Sequence, residues 1–525
     1  MKINIFIVYL FLAVFFSELM GIEIWPKPPL TISTSNVNAD SPQIAVDPIG
    51  NQVAIWIEDD FIVSKTCDFG MSWGPIDYLS AKGSTSPQVV IDSNSKATTA
   101  WVNEGIIFSS EKNWGGKWSS PEPLTERGAS EYKIAIDQLG NIVIAWIESG
   151  ALLVKTKAVD SEWSPIASIV SPSGARNLDI AIGADLVVVV WEGRDQAIYS
   201  SNGLFEKKWS DPLKISDENI LTCNPAVAVN VSSEAFLAWF RFDQNGENFS
   251  NGNVQAAIYS DGLWTLPQDI SNPNSSIIVD PQRLQLAVKS YSSDLAIVAW
   301  TSSYDGSYYN VEWTVFNGRD WEIPYLLLSN PLPTQFALGV DSQNYAYLVS
   351  NYLDPDDGIL KLYGGLFNLK INREIADLPI YPWLFSSKGN SCCNNISTSV
   401  ISEQSPVISS PVSMVWKNYD GNFIVIEQLQ VMIPILDPPT DLKVETIPQD
   451  YGVFFQYNNK LTWSPSSSDL VTAYAIFRNG IYLGKVPNTT LFYIDLNRDN
   501  MSNTYTIFSF CEYGFTSVGA EIHFP

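Results

Sequence analysis

The chain has 525 residues, with 56 acidic against 30 basic side chains and a formal net charge of −26. That length exceeds what one hydrophobic core organises and predicts at least two domains. No basic run offsets the acid, so nucleic acid and anionic lipid surfaces are excluded as partners. An acidic, lysine-poor surface also suits a protein kept soluble after export.

Lys2, the apolar stretch Ile3 to Phe16 and the small-residue exit from Ser17 to Gly21 read as a secretory signal peptide over residues 1–21. No later segment approaches membrane-spanning length, so no transmembrane insertion is expected and the mature chain is placed outside the cytoplasm. No cysteine follows the apolar run, which argues against a lipid anchor. The five cysteines, Cys67, Cys223, Cys392, Cys393 and Cys511, leave at least one thiol unpaired unless chains are bridged.

Repeats begin next. Trp56, Trp101, Trp146 and Trp191 stand 45 residues apart inside the phrases QVAIWIE, ATTAWVNE, IVIAWIE and VVVVWEG. A constant period near 45, with about four short apolar runs in each copy, predicts an all-β propeller over residues 22–434. In the first copy, strand A runs from Gln43 to Asp47, strand B from Val53 to Glu58, strand C from Phe61 to Thr66 and strand D from Trp73 to Ser80. Copies recur from Gln88, Lys133 and Leu178, more loosely from Ala226, Leu284 and Phe336, and an eighth holds Val412 to Trp416 and Phe423 to Gln428. That eighth copy lacks a fourth strand. The segment from Ile22 through Trp25 and Leu30 to Ser33 has the strand D pattern of a tryptophan, a proline and then Leu/Ile-Ser, so the N-terminal strand is expected to complete the last blade. The count is eight blades, with seven as the alternative because the copies after Trp300 are irregular.

The turn Thr66-Cys-Asp68-Phe-Gly70-Met-Ser-Trp73 carries Ser/Thr, Asp, Gly and Trp at fixed steps. Asp68 is suited to accept backbone amides of its own turn, Gly70 to take positive φ, and Trp73 to bury its indole over the hairpin. This phrase resembles the Asp-box of sialidase-like (BNR-repeat) propellers, with decayed copies at Asp261-Gly-Leu-Trp264 and Asn317-Gly-Arg-Asp-Trp321. In that family the box is a structural turn, so the resemblance implies fold and not catalysis.

Beyond Pro438-Pro439 the rhythm stops. Leu461-Thr-Trp463, Ala473-Tyr-Ala-Ile-Phe-Arg-Asn-Gly480, Phe492-Tyr-Ile-Asp495 and Thr504-Tyr505-Thr-Ile507 resemble a fibronectin type III domain over residues 437–525. Trp463 takes the core position there and Tyr505 that of the tyrosine corner. His523, the only histidine, falls in its last strand.

Chemistry is expected on the propeller face formed by the B–C loops and the D-to-A connections. Two places beyond the strand B tryptophans stand Glu58, Asn103, Glu148, Gly193, Arg241 and Ser302, predicting carboxylates and a guanidinium at the rim of the central opening. Arg127, Arg176, Arg194, Arg241 and Arg283 map to this loop face; Arg319 and Arg373 map to the other. Such arginines suit a carboxylate or sulfate, although exclusion of arginine from stereotyped turns produces the same clustering. The candidate ligand-binding set is Arg194, Arg241, Glu58, Glu148, Glu192 and Tyr304. The sialidase resemblance asks for three arginines on the substrate carboxylate, a Tyr–Glu nucleophile pair and a proton donor. Arg194, Arg241 and a pairing of Tyr304, Tyr308 or Tyr309 with Glu312 supply part of that, but the first two blades hold no arginine and eight blades depart from the family's six.

The longer loops Asp243-Gln-Asn245-Gly-Glu247-Asn248 and Asp354-Pro-Asp356-Asp357-Gly358 are acidic, and calcium is the one ion whose chemistry they approach. Neither has EF-hand spacing, so no cofactor is expected. A Ser-His-Asp set or a zinc site is excluded by the lone, remote histidine. The sequence thus favours an exported or surface-associated binding protein for a glycan or an extracellular protein, with a sialidase-like glycoside hydrolase as the alternative.

Overall fold

The computed structural model describes residues 30–524 apart from short stretches, of which the longest are 354–359, 370–382, 386–395 and 401–408. Among the described residues every regular element is a β-strand. The first sheet comprises Ala39–Val46, Gln52–Glu58, Phe61–Cys67 and Asp77–Tyr78, paired antiparallel in chain order. Further four-stranded sheets span 85–123, 129–169, 175–214, 221–269, 286–330 and 336–385, the fifth with one extra short strand. An eighth joins Ile396–Val400, Ser409–Tyr419 and Ile424–Pro434 to Leu30–Thr31 from the start of the chain. The first strands of successive sheets lie against one another in sequence order, and that of the eighth lies against Ala39–Val46 of the first. The chain therefore forms a propeller-like assembly of four-stranded antiparallel sheets.

The hydrophobic core is distributed between sheets. Separate clusters of buried side chains lie between the first and second sheets (Val53, Ile55, Trp101), the second and third (Ala100, Ile144, Trp146), and the third and fourth (Val143, Val187, Trp191). The pattern continues through Trp239 and Trp300 to the eighth sheet, where Val415 and Ile426 meet Trp56 of the first. Each tryptophan of the second strand faces the preceding sheet, and all are at most 1% exposed. An isolated sheet would leave these indoles in water, so each sheet is stable only against its neighbours.

Short sequence phrases encode the closure of each sheet. Where the outer strand ends in Leu/Ile-Ser/Thr, the apolar residue donates its N–H to the third strand and the hydroxyl accepts an N–H back. Leu79 and Ser80 do this with Ile62, Leu124 and Thr125 with Ile107, and Ile215 and Ser216 with Ile198. Ile32 and Ser33 make the same pair of bonds with Ile426, at 2.8 and 2.9 Å. The N-terminal strand thus holds the outer position of the eighth sheet, as its sequence predicts.

The inner strands are bulged near their first residues, with register shifts at Asp40/Gln43, Thr85/Gln88, Ala129/Glu131, Arg176/Asp179 and Cys223/Ala226. Ser41, Ser86, Asn177 and Asn224 take positive φ there. A bulge bends and twists its strand. Polar side chains then tie one inner strand to the next. Gln88 bonds the backbone of Tyr132 and Ile134, Glu131 accepts from Asn177 and Leu178, Asp179 accepts from Val227, and Gln285 bonds both groups of Phe336.

After residue 436 the chain forms two sheets. Thr440–Asp450, Phe455–Ser464 and Phe492–Asp495 make one; Ile481–Pro487, Val471–Arg478, Asn503–Cys511 and Ala520–Phe524 make the other. Trp463 is buried, with its ring edge-on to Tyr474 at 5.5 Å. Tyr505 is fully buried, but its hydroxyl donates to the Asp495 carboxylate at 2.7 Å and accepts from Asn459. A tyrosine corner would bond backbone instead.

Candidate functional site

The loops following each second strand bring the predicted residues to one end of the sheets, yet few carboxylates there are available. Glu58, expected at the rim, is 2% exposed and accepts the Trp56 indole N–H at 2.8 Å and the Thr34 N–H at 3.1 Å. It anchors the segment that leaves the closing strand. Glu192 is also buried, held by the Arg176 guanidinium, by Asn177 at 2.7 Å and by the Asn224 N–H. Burial pushes its pKa up, against the pull of Asn177 and Arg176. Glu148 is half-buried at the end of its strand, where it stands in register with Ala129 and Ala151.

The arginines diverge. Arg194 is exposed and forms no ion pair among the described residues. Its guanidinium lies over two left-handed glycines: a Cβ at Gly150 would sit 3.3 Å from Nη2, and one at Gly174 3.2 Å from Nε. A side chain at either position would crowd the guanidinium from a left-handed backbone that glycine adopts most readily. Arg241 is part-buried beside Asp243 at 3.6 Å, on its own hairpin. Arg127, Arg283 and Arg373 lie outside the described residues, and Arg319 stands in an exposed turn beside Asp320.

Tyr304 and Glu312 come together in the sixth sheet. The Tyr304 hydroxyl donates to Glu312 Oε2 at 2.6 Å, and the same oxygen accepts Ser302 Oγ at 2.6 Å and the Trp300 indole at 3.1 Å. Burial, then the Glu312 charge, holds the Tyr304 phenol well above its usual range. Tyr308 is exposed on the same loop and Tyr309 is buried in the strand beyond. No described contact links this group to Arg194.

The Asp-box residues act differently from expectation. Thr66 accepts the Gly74 N–H through its carbonyl, and Asp68 accepts Met71 N–H through its own carbonyl. The Asp68 carboxylate instead accepts the Trp114 indole of the second sheet at 2.7 Å. Trp73 packs toward the eighth sheet, where its indole reaches Gln428 at 3.4 Å. Gly70 lies outside the described residues.

The longer loop from Phe240 to Asn253 is a continued hairpin, pairing Asp243 with Ser250 and Asn245 with Asn248. Backbone committed to a ladder does not wrap an ion in the manner of a calcium loop. The acidic loop 354–358 lies outside the described residues. Among the described residues no three His, Cys, Asp or Glu side chains form a metal-sized group. Cys67, Cys223 and Cys511 are buried, whereas Cys392 and Cys393 lie outside the described residues.

Two cavities lie away from the loop face. One of about 280 Å3 opens at the other end of the inner strands, lined by Val46, Ile91, Ile136, Ile182, Val229 and Lys289. Lys289 itself is exposed at the rim of this cavity. The other, of about 460 Å3, lies between the third and fourth sheets. Its residues were not singled out by the sequence, because they sit in the outer strands and in the turns that join them.

The architecture defines a protein of the propeller-like class. No protein-family model matches the chain, and no curated protein matches it in sequence. Among solved structures it is similar to the BP39L lectin from Burkholderia pseudomallei, at 13% identity and TM-score 0.44 over 62% of this chain and 96% of that one. It is also similar to the WD40 domain of SCAP from fission yeast, at 9% identity and TM-score 0.45 over 78% and 98%. A Dyadobacter fermentans protein of unknown function aligns at 11% identity and TM-score 0.39, over 78% of this chain and 100% of that one. Likeness at this level bears on neither ligand nor reaction.

Proposed function

We propose that the chain is an exported or surface-associated binding protein whose loop face takes a glycan or extracellular protein through an acidic group. On this reading residues 1–21 are a signal peptide, 22–434 an eight-bladed propeller closed by its own N-terminal strand, and 437–525 a fibronectin type III-like spacer. The cyclic contact of eight inner strands supports the blade count, and the strand order of the two C-terminal sheets supports the sandwich.

Arg194 carries the reading. An exposed guanidinium without an ion-pair partner among the described residues, braced over Gly150 and Gly174, is preorganised for a carboxylate or sulfate. It is unusual in a chain of net charge −26. Glu148 and Arg241 flank the same face. The test is an array of carboxylated, sulfated and neutral glycans, with immobilised extracellular proteins alongside. Binding to acidic members, weakened about tenfold or more in Arg194→Ala, supports it; equal binding by the variant refutes the role.

A second reading rests on the Tyr304–Glu312 hydrogen bond, which matches the nucleophile pair of a sialidase-like hydrolase. The position of Arg194 over Gly150, toward the third sheet, weighs against a convergent site. Turnover of a fluorogenic sialoside, abolished in Tyr304→Phe, would favour the enzyme.

A further inference from the structure

The repeats supply their own control for the groove between the third and fourth sheets. Between the first and second sheets, the Lys112 ammonium reaches across the Trp118 ring, 5.8 Å from its centroid, to Asp77 at 3.0 Å. Below it, the Trp118 indole N–H donates to Ser64 at 2.8 Å. Four side chains thus close that groove: a lysine covers the indole face, a carboxylate holds the lysine, and a hydroxyl takes the indole N–H. Between the second and third sheets Lys157 covers Trp163 in the same way, at 5.7 Å.

Ladder registers fix the equivalent positions one groove further on. Ser64 pairs with Asp77 as Val154 pairs with Ala167. Lys112 stands four residues beyond the partner of Trp101, and Gly203 four beyond the partner of Trp191. Trp209 follows Gly203 by the same six residues that separate Trp118 from Lys112. Lysine, aspartate and serine have become glycine, alanine and valine, while the tryptophan remains. The closing side chains are gone together, and a cavity of about 460 Å3 stands in their place. Its wall is Trp209, Phe205, Pro165 and Pro212, and its rim holds Lys208 and Asp211. Neither of these charges has an ion-pair partner among the described residues.

From this we infer a second binding site, independent of the loop face, that accepts a neutral sugar ring on the uncovered face of Trp209. An aromatic face binds the apolar C–H face of a sugar, and polar rim groups take its hydroxyls. One charge of each sign at the rim matches a polyhydroxyl ligand, whereas any net ion meets a like charge. The volume falls within the roughly 300–1,000 Å3 range of small-molecule sites.

Saturation-transfer NMR on the full chain tests this, using methyl glycosides of neutral hexoses, with tetramethylammonium and sulfate as the charged alternatives. At least one methyl glycoside is expected to bind, with the signal lost in Trp209→Ala. The double variant Ala167→Asp with Gly203→Lys rebuilds the closed groove of the first repeat and is expected to abolish binding while folding normally. A Cβ at Gly203 would meet its neighbours no closer than 3.4 Å. Arg194→Ala should leave this binding intact, which separates the site from the loop-face reading. Absence of binding by every glycoside, preference for either ion, or full binding by the rebuilt groove would overturn the inference.

Discussion

Single side chains at the loop end divide into anchors and open groups, and the division is physical. A buried carboxylate must be matched by donors; Glu58, Glu192 and Glu312 each hold two or more. Arg176→Ala would leave Glu192 buried without its cation, and a loss of about 3 kcal/mol is expected in urea denaturation. Burial, with the Asp68 charge adding to it, pushes the Cys67 thiol up to about 11, and burial followed by the bond to Asp495 pushes the Tyr505 phenol up to about 12. Both groups stay protonated in the folded state beyond the pH at which they ionise when unfolded. Their contribution is therefore complete below about pH 8.5 for Cys67 and about pH 10 for Tyr505, and is lost as pH rises through the folded values. Cys67→Ala should accordingly lose less stability than the parent between about pH 9 and 11, as read from denaturation midpoints. Position along the repeat told where Glu58 and Asp68 lie, but not which way they turn. That depends on Thr34 and Trp114, which belong to other repeats.

At the scale of one strand or sheet, sequence and structure agree wherever a local phrase makes a local bond. The Leu/Ile-Ser/Thr ending is such a phrase, and it identified the outer strand of the eighth sheet from residues near the start of the chain. Ser33→Ala is expected to cost about 1–2 kcal/mol, comparable to Ser80→Ala, because each leaves one buried N–H unpaired; matched denaturation curves would check this. The 45-residue ruler fails where a connection changes length. The second-strand turn of the fourth sheet is one residue longer than that of the second, since Trp191 pairs with Tyr199 and Trp101 with Phe108. Counting by 45 therefore misses the equivalence of Lys112 and Gly203, which only the ladder reveals. The longer loop after Phe240 escapes the ruler for a related reason: its extra residues extend a hairpin, pairing Asp243 with Ser250.

For the whole molecule, stability is a property of the interfaces between sheets. Trp146→Ala, which empties the interface between the second and third sheets, should cost about 3–5 kcal/mol and lower the midpoint of the entire repeat array rather than of one sheet. Calorimetry showing a separate low-temperature transition for part of the array would contradict that. Blade closure was legible because it uses a repeated phrase. The loop-end groups were legible only as a list of residues, because whether they meet depends on contacts between repeats, such as those of Glu58 with Thr34 and of Glu192 with Asn224.

Closure also imposes an order on folding. Ser33 bonds Ile426 across a sequence separation of 393, so the earliest described strand has no partner until nearly every sheet has been synthesised. Local hairpins form within microseconds, whereas this contact must wait for the ring to assemble around it and carries the loop-closure entropy of the whole circuit. Until then the edge of Ile424–Pro434 is bare and able to recruit a strand from another copy. The last hydrogen bonds of the ring are therefore those that decide whether a newly made chain ends as one molecule or joined to its neighbour.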